Sequence, residues 1–229
     1  MRKNILITGG GSGLGKFLTM GLSKNNNIIV ISKNEIKKEK EEISIDYFYC
    51  DITNYNKLKS TINSIISKYQ KIDVLINCAG LYINGILEEN NPQQISDVIN
   101  VNLTGTIFCC QLIIKNMKKH NNGYIININS QLSNTYRAER SVYCASKWAV
   151  TGFSNSLQEE IANNGIKVTN LIIGTLNETM KINGIKYRRP IKYIDNVEIV
   201  NTIKFLINTP SDILIPEITV KSIHDYNYK

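Results

Sequence analysis

Seven short apolar runs punctuate the chain, and most stretches between them carry helical periodicity. The runs are Ile5–Ile7, Ile28–Ser32, Ile45–Cys50, Val74–Ile76, Tyr124–Ile128, Ile166–Ile173 and Ile213–Val220. Helical patterns fall over residues 14–22, 55–69, 92–117, 140–163 and 195–208. This alternation admits few architectures, because parallel strands need crossover connections and helices supply them. The expectation is an α/β fold: a single-domain doubly wound sheet of about seven parallel strands flanked by helices, over residues 1–229, with no linker or repeat.

Sheets of this kind bind ligands beyond the carboxyl ends of their strands, so the strand ends hold the chemistry. The first run leads into Thr8-Gly9-Gly10-Gly11-Ser12-Gly13-Leu14-Gly15, and Leu14, Phe17, Leu18 and Leu22 then form one helical stripe. Strand, glycine turn and helix together suit a pyrophosphate, because backbone can approach closely and a helix N-terminus offers oriented N–H groups. Gly9, Ser12, Gly13, Leu14 and Gly15 are the expected contacts. The second run ends in Ser32-Lys33-Asn34, with no acid before Glu35. An acid there would bind ribose hydroxyls and a base would accommodate a 2′-phosphate, so Lys33 favours NADP(H) over NAD(H); a solvated surface lysine is the plainer reading.

The third run is followed by Asp51-Ile52-Thr53-Asn54. Asp51 can bind an adenine amino group beside Ile52, and Thr53 or Asn54 can cap the next helix. The fourth ends in Asn77-Cys78-Ala79-Gly80, small enough for a ribose to cross. Asn102 lies between Val101 and Leu103, where a buried amide must either brace its helix or hold a water or catalytic side chain. The fifth run ends at Ser130, and the next helix carries Tyr143 and Lys147, four apart and so on one face. Alone, that pair carries little weight, since Tyr55 and Lys59 repeat the spacing without a serine at a strand end.

The charge of +8 raises the question of an acidic partner. Lysines are spread along the chain, and the densest cluster, residues 37–42, is interleaved with acids, so nucleic acid is not the expected partner. Hydrophobic and charged fractions of 42% and 20% are ordinary for globular proteins. No uninterrupted apolar run approaches the ~20 residues of a membrane span, and the N-terminus reads as a strand rather than a signal peptide. Five cysteines show no metal-ligand spacing and read as reduced thiols, which places the chain in the cytoplasm with no metal site.

Taken in order, Thr8–Gly15, Asn77–Gly80, Asn102, Ser130 and Tyr143-x-x-x-Lys147 resemble the short-chain dehydrogenase/reductase family over nearly the whole chain. The resemblance implies a Rossmann-type sheet and a catalytic set of Asn102, Ser130, Tyr143 and Lys147. In it Tyr143 is general acid/base, Ser130 binds the carbonyl oxygen, Lys147 lowers the phenol pKa and holds the ribose, and Asn102 positions a proton-relaying water. It implies cofactor contacts from Asn77, Ala79, Gly80, Tyr143, Lys147, Gly174 and Thr179, and homodimers or homotetramers formed through helices 101–119 and 140–163. Substrate contacts are expected from Leu81, Tyr82, Gln131, Tyr136, Arg137 and a small lid at about 175–194. That lid carries Lys181, Lys186, Arg188 and Arg189, which hint at an anionic substrate. The chain departs from the family in having Ile173 where proline precedes Gly174, and Cys78 where asparagine is common. The implied activity is reversible hydride transfer between NADP(H) and a ketone or secondary alcohol; the competing reading is a regulatory protein that binds NADP(H) without turnover.

Overall fold

The computed structural model describes residues 2–36, 45–176, 180–182, 185–187 and 193–226. The strands are β1 (Asn4–Thr8), β2 (Asn27–Ser32), β3 (Ile45–Tyr49), β4 (Val74–Asn77), β5 (Gly123–Ser130), β6 (Ile166–Ile173), β7 (Met180–Ile182), β8 (Ile185–Tyr187) and β9 (Glu217–Val220). The helices are α1 (Gly13–Ser23), α2 (Tyr55–Tyr69), α3 (Pro92–Ile99), α4 (Thr106–Lys119), α5 (Ser141–Ile161) and α6 (Asn196–Asn208). Seven strands form one parallel sheet in the order β3-β2-β1-β4-β5-β6-β9, while β7 and β8 make a separate antiparallel hairpin. The expected doubly wound sheet is therefore present.

Strand pleating explains the two cores. Ile5 and Ile7 face one side with Leu18 and Leu22 of α1 and Ile199, Ile203 and Leu206 of α6. Leu6, between them, faces the other side with Leu58 and Ile62 of α2, Ile113 and Met117 of α4, and Leu157 and Ile161 of α5. Consecutive side chains of a strand point to opposite faces, so a strand covered by helices on both faces must be apolar throughout. β1, β2 and β4 are indeed continuous apolar runs. The sequence order reverses between β1 and β4, which opens a crevice at their carboxyl ends.

Two features differ from expectation. The last strand starts at Glu217 rather than Ile213, because Pro216 has no N–H to give to the ladder. The fifth ends at Ser130 as expected, with Asn127 and Asn129 kept in the strand as buried residues. The helical run from Pro92 is interrupted by a π-helical turn, Asn100–Gly105, before α4. Together these segments, Pro92–Lys119, are long and apolar enough to cross a bilayer, which a search for uninterrupted apolar residues does not reveal. Cys109, Cys110, Ile113 and Met117 of this run are completely buried against the sheet, as in a core helix.

Candidate active site

A cleft of about 520 Å³ runs along the carboxyl edge of the sheet, within the range of small-molecule sites. Gly9 and the start of α1 line it after β1, Ser32 and Lys33 after β2, Asp51 and Ile52 after β3, and Cys78, Ala79 and Gly80 after β4. Ser130 closes it at the end of β5, with Tyr143 and Lys147 from α5, and Ile173, Gly174 and Leu176 after β6. Six strand ends thus supply one site.

The glycine turn is shaped by crowding. Gly9 has φ +69°, and a Cβ there would lie 2.7 Å from the backbone of Ala79. A Cβ on Gly15 would collide with the Gly9 carbonyl. Helix α1 begins immediately, and the Ser12 side chain makes no capping hydrogen bond to it. Its first N–H groups, which have no intrahelical partner, therefore face the cleft as a site for an anion. No acid occupies the first turn. A dinucleotide's pyrophosphate fits this cradle. Across the cleft floor, Thr8 Oγ1 accepts the N–H groups of Cys78 (3.2 Å) and Ala79 (3.3 Å), which fixes the end of β4 against that of β1.

At the far end of the cleft from Tyr143, Lys33 Nζ is 2.9 Å from Asp51 Oδ2. Burial pushes the Asp51 carboxyl up, but Lys33 and the N–H and hydroxyl of Thr53 together hold it below its ordinary value. Hydrogen bonding and charge attraction from Asp51 raise Lys33 in turn. The two residues assigned from sequence to separate parts of a nucleotide are thus joined to each other. Asn54 Oδ1 accepts the N–H of Lys57 and caps α2.

The hydroxyl, phenol and ammonium do converge, though not as the sequence suggested. Burial raises the Tyr143 phenol to about 12, and the neighbouring Ser130 hydroxyl pulls the other way. Lys147 does not contribute to that shift. Its Nζ donates to Ile128 O at 3.0 Å and sits 5.9 Å from the centroid of the Tyr143 ring. Burial lowers Lys147 itself to about 8. The expected lowering of the phenol by the lysine is therefore absent from this geometry. Tyr82 meets the Tyr143 ring edge-on at 5.0 Å, and the Arg140 guanidinium lies 5.4 Å from the Tyr82 ring. Tyr82 and Leu81 line the cleft as expected.

Asn102 sits behind the wall of the cleft. Its Oδ1 accepts the N–H of Leu81 (2.7 Å), and its Nδ2 donates to Leu81 O (2.9 Å) and Ser146 Oγ (3.0 Å). Both amide hydrogens are used, so the side chain has no donor left for a water relay; it clamps the loop after β4 onto α5. Asn77 is also buried away from the cleft, donating to Asn127 Oδ1 at 2.8 Å. Gln131, Tyr136 and Arg137 line a separate cavity of about 250 Å³ with Lys221 and Asp225. The short turn Gln131–Ser133 redirects the loop, and Trp148 Nε1 holds it by donating to Thr135 O at 3.2 Å. Thr179 lies outside the described residues, as do Arg188 and Arg189 of the lid. The second Tyr-x-x-x-Lys has no part in the cleft: Tyr55 packs edge-on against Phe108 at 5.0 Å.

Sequence reasoning missed Asn129. This buried residue accepts the N–H of Ser130 (3.0 Å) and donates to Lys147 O (3.3 Å) and Thr151 Oγ1 (3.0 Å). Two asparagines at alternate positions of an apolar strand, Asn127 and Asn129, were the available signal, because each buried amide needs partners.

Comparison with known proteins agrees with this arrangement. The family model described as short chain dehydrogenase matches residues 3–186. The 3-oxoacyl-acyl-carrier-protein reductase FabG of Buchnera aphidicola subsp. Baizongia pistaciae is 32% identical over 86% of this chain and 82% of its own. Carbonyl reductase family member 4 of Xenopus tropicalis is 27% identical over 92% and 93% of the two chains. Among solved structures, ElxO with NADP bound superposes with a TM-score of 0.83 at 26% identity, covering 96% of this chain and 98% of the other. A short chain dehydrogenase from Leptospira borgpetersenii with bound NAD+ shares the fold, with a TM-score of 0.85 at 21% identity over 96% and 92%.

The buried lysine has a measurable cost. Its folded pKa of about 8 lies below its ordinary 10.5, so the unfolded chain holds the proton more tightly and charged Lys147 opposes folding below pH 8. Stability from this group rises with pH between 8 and 10.5, as the folded state loses its proton first. Lys147→Met should be the more stable chain at pH 7, by roughly 1–3 kcal/mol. Denaturation across this pH window should show that advantage shrinking, and a constant difference would refute the burial account.

Proposed function

The chain belongs to the short-chain dehydrogenase family and is a nicotinamide-dependent oxidoreductase, and from that premise we propose that it interconverts a ketone and a secondary alcohol with NADP(H). The observation that carries this reading is the meeting of Ser130, Tyr143 and Lys147 in the cleft that begins at the Gly9–Gly15 turn. Relatives named as reductases of 3-oxoacyl groups and of carbonyls support C=O as the reacting group. Lys33 and the NADP bound by ElxO support the phosphorylated cofactor.

The glycine turn and the α1 N-terminus would hold the pyrophosphate, and Ala79 and Gly80 would leave room for the ribose. Gly174 borders the nicotinamide end, and Thr179 follows it in the lid. A nicotinamide held in this cleft would supply or accept hydride at the substrate carbon. Tyr143, holding its proton at neutral pH, donates it to the carbonyl oxygen as negative charge develops there, and Ser130 hydrogen-bonds the same oxygen. Lys147, on the same face of α5, would hold the ribose. Oxidation runs through the same groups in reverse, with Tyr143 as the base. Asn102 acts by fixing the Leu81 loop. Gln131, Tyr136 and Arg137 contact the part of the substrate that extends towards the second cavity.

The chain is read as one domain with a small lid at about 175–194. Five free cysteines support a reducing, cytoplasmic setting. A homodimer or homotetramer through α4 and α5 is supported by Trp148, half exposed on α5, and by Gly152, which has open space around it.

Three measurements test this reading. Tyr143→Phe should lower kcat by about 10²–10⁴-fold while leaving the Kd for NADPH within about twofold; near-native turnover would remove Tyr143 from the chemistry. Lys33→Ala should weaken NADPH about fivefold, the worth of one exposed ion pair, with little effect on NADH; an unchanged preference would refute the 2′-phosphate contact. Light scattering should give a mass of two or four chains, and a monomer would contradict the helical interface.

A further inference from the structure

We infer that Asp225, in the C-terminal tail, is a positioning residue that sets the turn bordering the nicotinamide end of the cleft. The inference rests on the cofactor reading above. β6 ends at Ile173, and Gly174 N–H donates to Val220 O at 2.8 Å as the chain leaves the sheet. The next amide, that of Thr175, donates to Asp225 Oδ2 at 3.3 Å. The same oxygen accepts the Ser222 N–H at 3.0 Å, so one carboxylate oxygen closes the tail's own turn and ties it to the end of β6. Oδ1 is buried without a hydrogen-bond partner among the described residues, which leaves the anchoring to Oδ2.

Thr175 is the junction of three segments. Its N–H goes to the tail, its carbonyl accepts Ile194 N–H at 3.1 Å, and its hydroxyl is 3.5 Å from Gln131 Nε2, one residue beyond Ser130. Leu176 pairs with Ile194 in a parallel bridge, so both ends of the lid meet at this point. Ile173, Gly174 and Leu176 all line the cleft. Whatever fixes Thr175 therefore fixes the wall on either side of it.

Gly174 admits the carboxylate. A Cβ at that position would collide with Asp225 Oδ2 and come within 3.2 Å of Lys221 Cα. A proline before Gly174 would restrict the turn from within the chain, through its fixed φ. Ile173 does not, and Asp225 imposes the restriction from outside.

The test compares Asp225→Ala, which removes the acceptor, with Asp225→Asn, which keeps one oxygen. In the unliganded protein, Asp225→Ala should accelerate amide hydrogen exchange at Thr175 and Leu176 about tenfold or more, and Asp225→Asn should restore protection. In turnover, Asp225→Ala should lower kcat about tenfold with the Kd for NADPH changed less than about threefold, because the pyrophosphate cradle is untouched. The asparagine variant should recover kcat to within about twofold of the native chain. A purely structural tail would lower Tm and leave kcat unchanged well below Tm, and that result overturns the inference. If Asp225→Ala does not fold, Gly174→Ala displaces the carboxylate while leaving the tail's sequence intact. It should speed Thr175 exchange equally, and unchanged exchange would sink the proposal. Should the native chain turn over neither NADPH nor NADH, the cofactor reading fails, while exchange at Thr175 still decides the anchoring.

Discussion

The junction between β5 and α5 governs the rest of the site. Ser130 ends the strand while Tyr143 and Lys147 ride on the helix, so the three side chains meet only if the two elements keep one register. Packing of apolar surfaces is non-directional and tolerates sliding. Hydrogen bonds between buried amides do not. Asn129 joins the Ser130 N–H to Lys147 O and Thr151 Oγ1, and Asn127 joins Asn77 to Ser154 Oγ at 2.8 Å. Thr151 and Ser154 are three apart on the helix, as Asn127 and Asn129 are two apart on the strand, so the pairs stack in step. A slip would strand several buried polar groups at about 1–3 kcal/mol each, a large part of a domain's net stability.

Desolvation sets the protonation states in the site. It pushes the Tyr143 phenol to about 12 and the Lys147 ammonium to about 8, each away from its charged form. The cause is visible in the packing: the Tyr143 ring lies against Ile83, Val98 and Val142, and Lys147 is buried on the helix face below. The phenol thus keeps its proton at neutral pH, in the form that can be donated. Lys147 instead holds its charge at an energetic cost, with Ile128 O as its hydrogen-bond acceptor.

Most of the architecture was legible because it is written in period and punctuation. Strands covered on both faces read as apolar runs, and glycine turns and strand-end polar residues announced the cleft. Features that depend on distant parts of the chain meeting were not legible. Lys33 and Asp51 each suited a nucleotide, but nothing in the local sequence indicates that they pair. Gln131, Tyr136 and Arg137 follow Ser130 closely in sequence, but that the short turn sets them in a second cavity beside the tail could not be read there. Asp225 was invisible for the same reason, being fifty positions from its partner Thr175. Asn102 was found, but its role depended on which backbone came within its reach.

The π-helical turn at Asn100–Gly105 has a consequence for how this chain can vary in length. Such a turn holds one residue more than the α-helical ladder around it accommodates. The turn takes up that residue locally, so removing one there would restore regular winding with α3 and α4 facing much as they do, while the residues inside the turn change direction. Val98 would keep its place between Ile83 and Val142, whereas the Asn102 amide, inside the turn, would swing off the Leu81 backbone. The length of this turn is therefore set by the clamp that Asn102 makes on the Leu81 backbone, rather than by the packing of the two helices it joins.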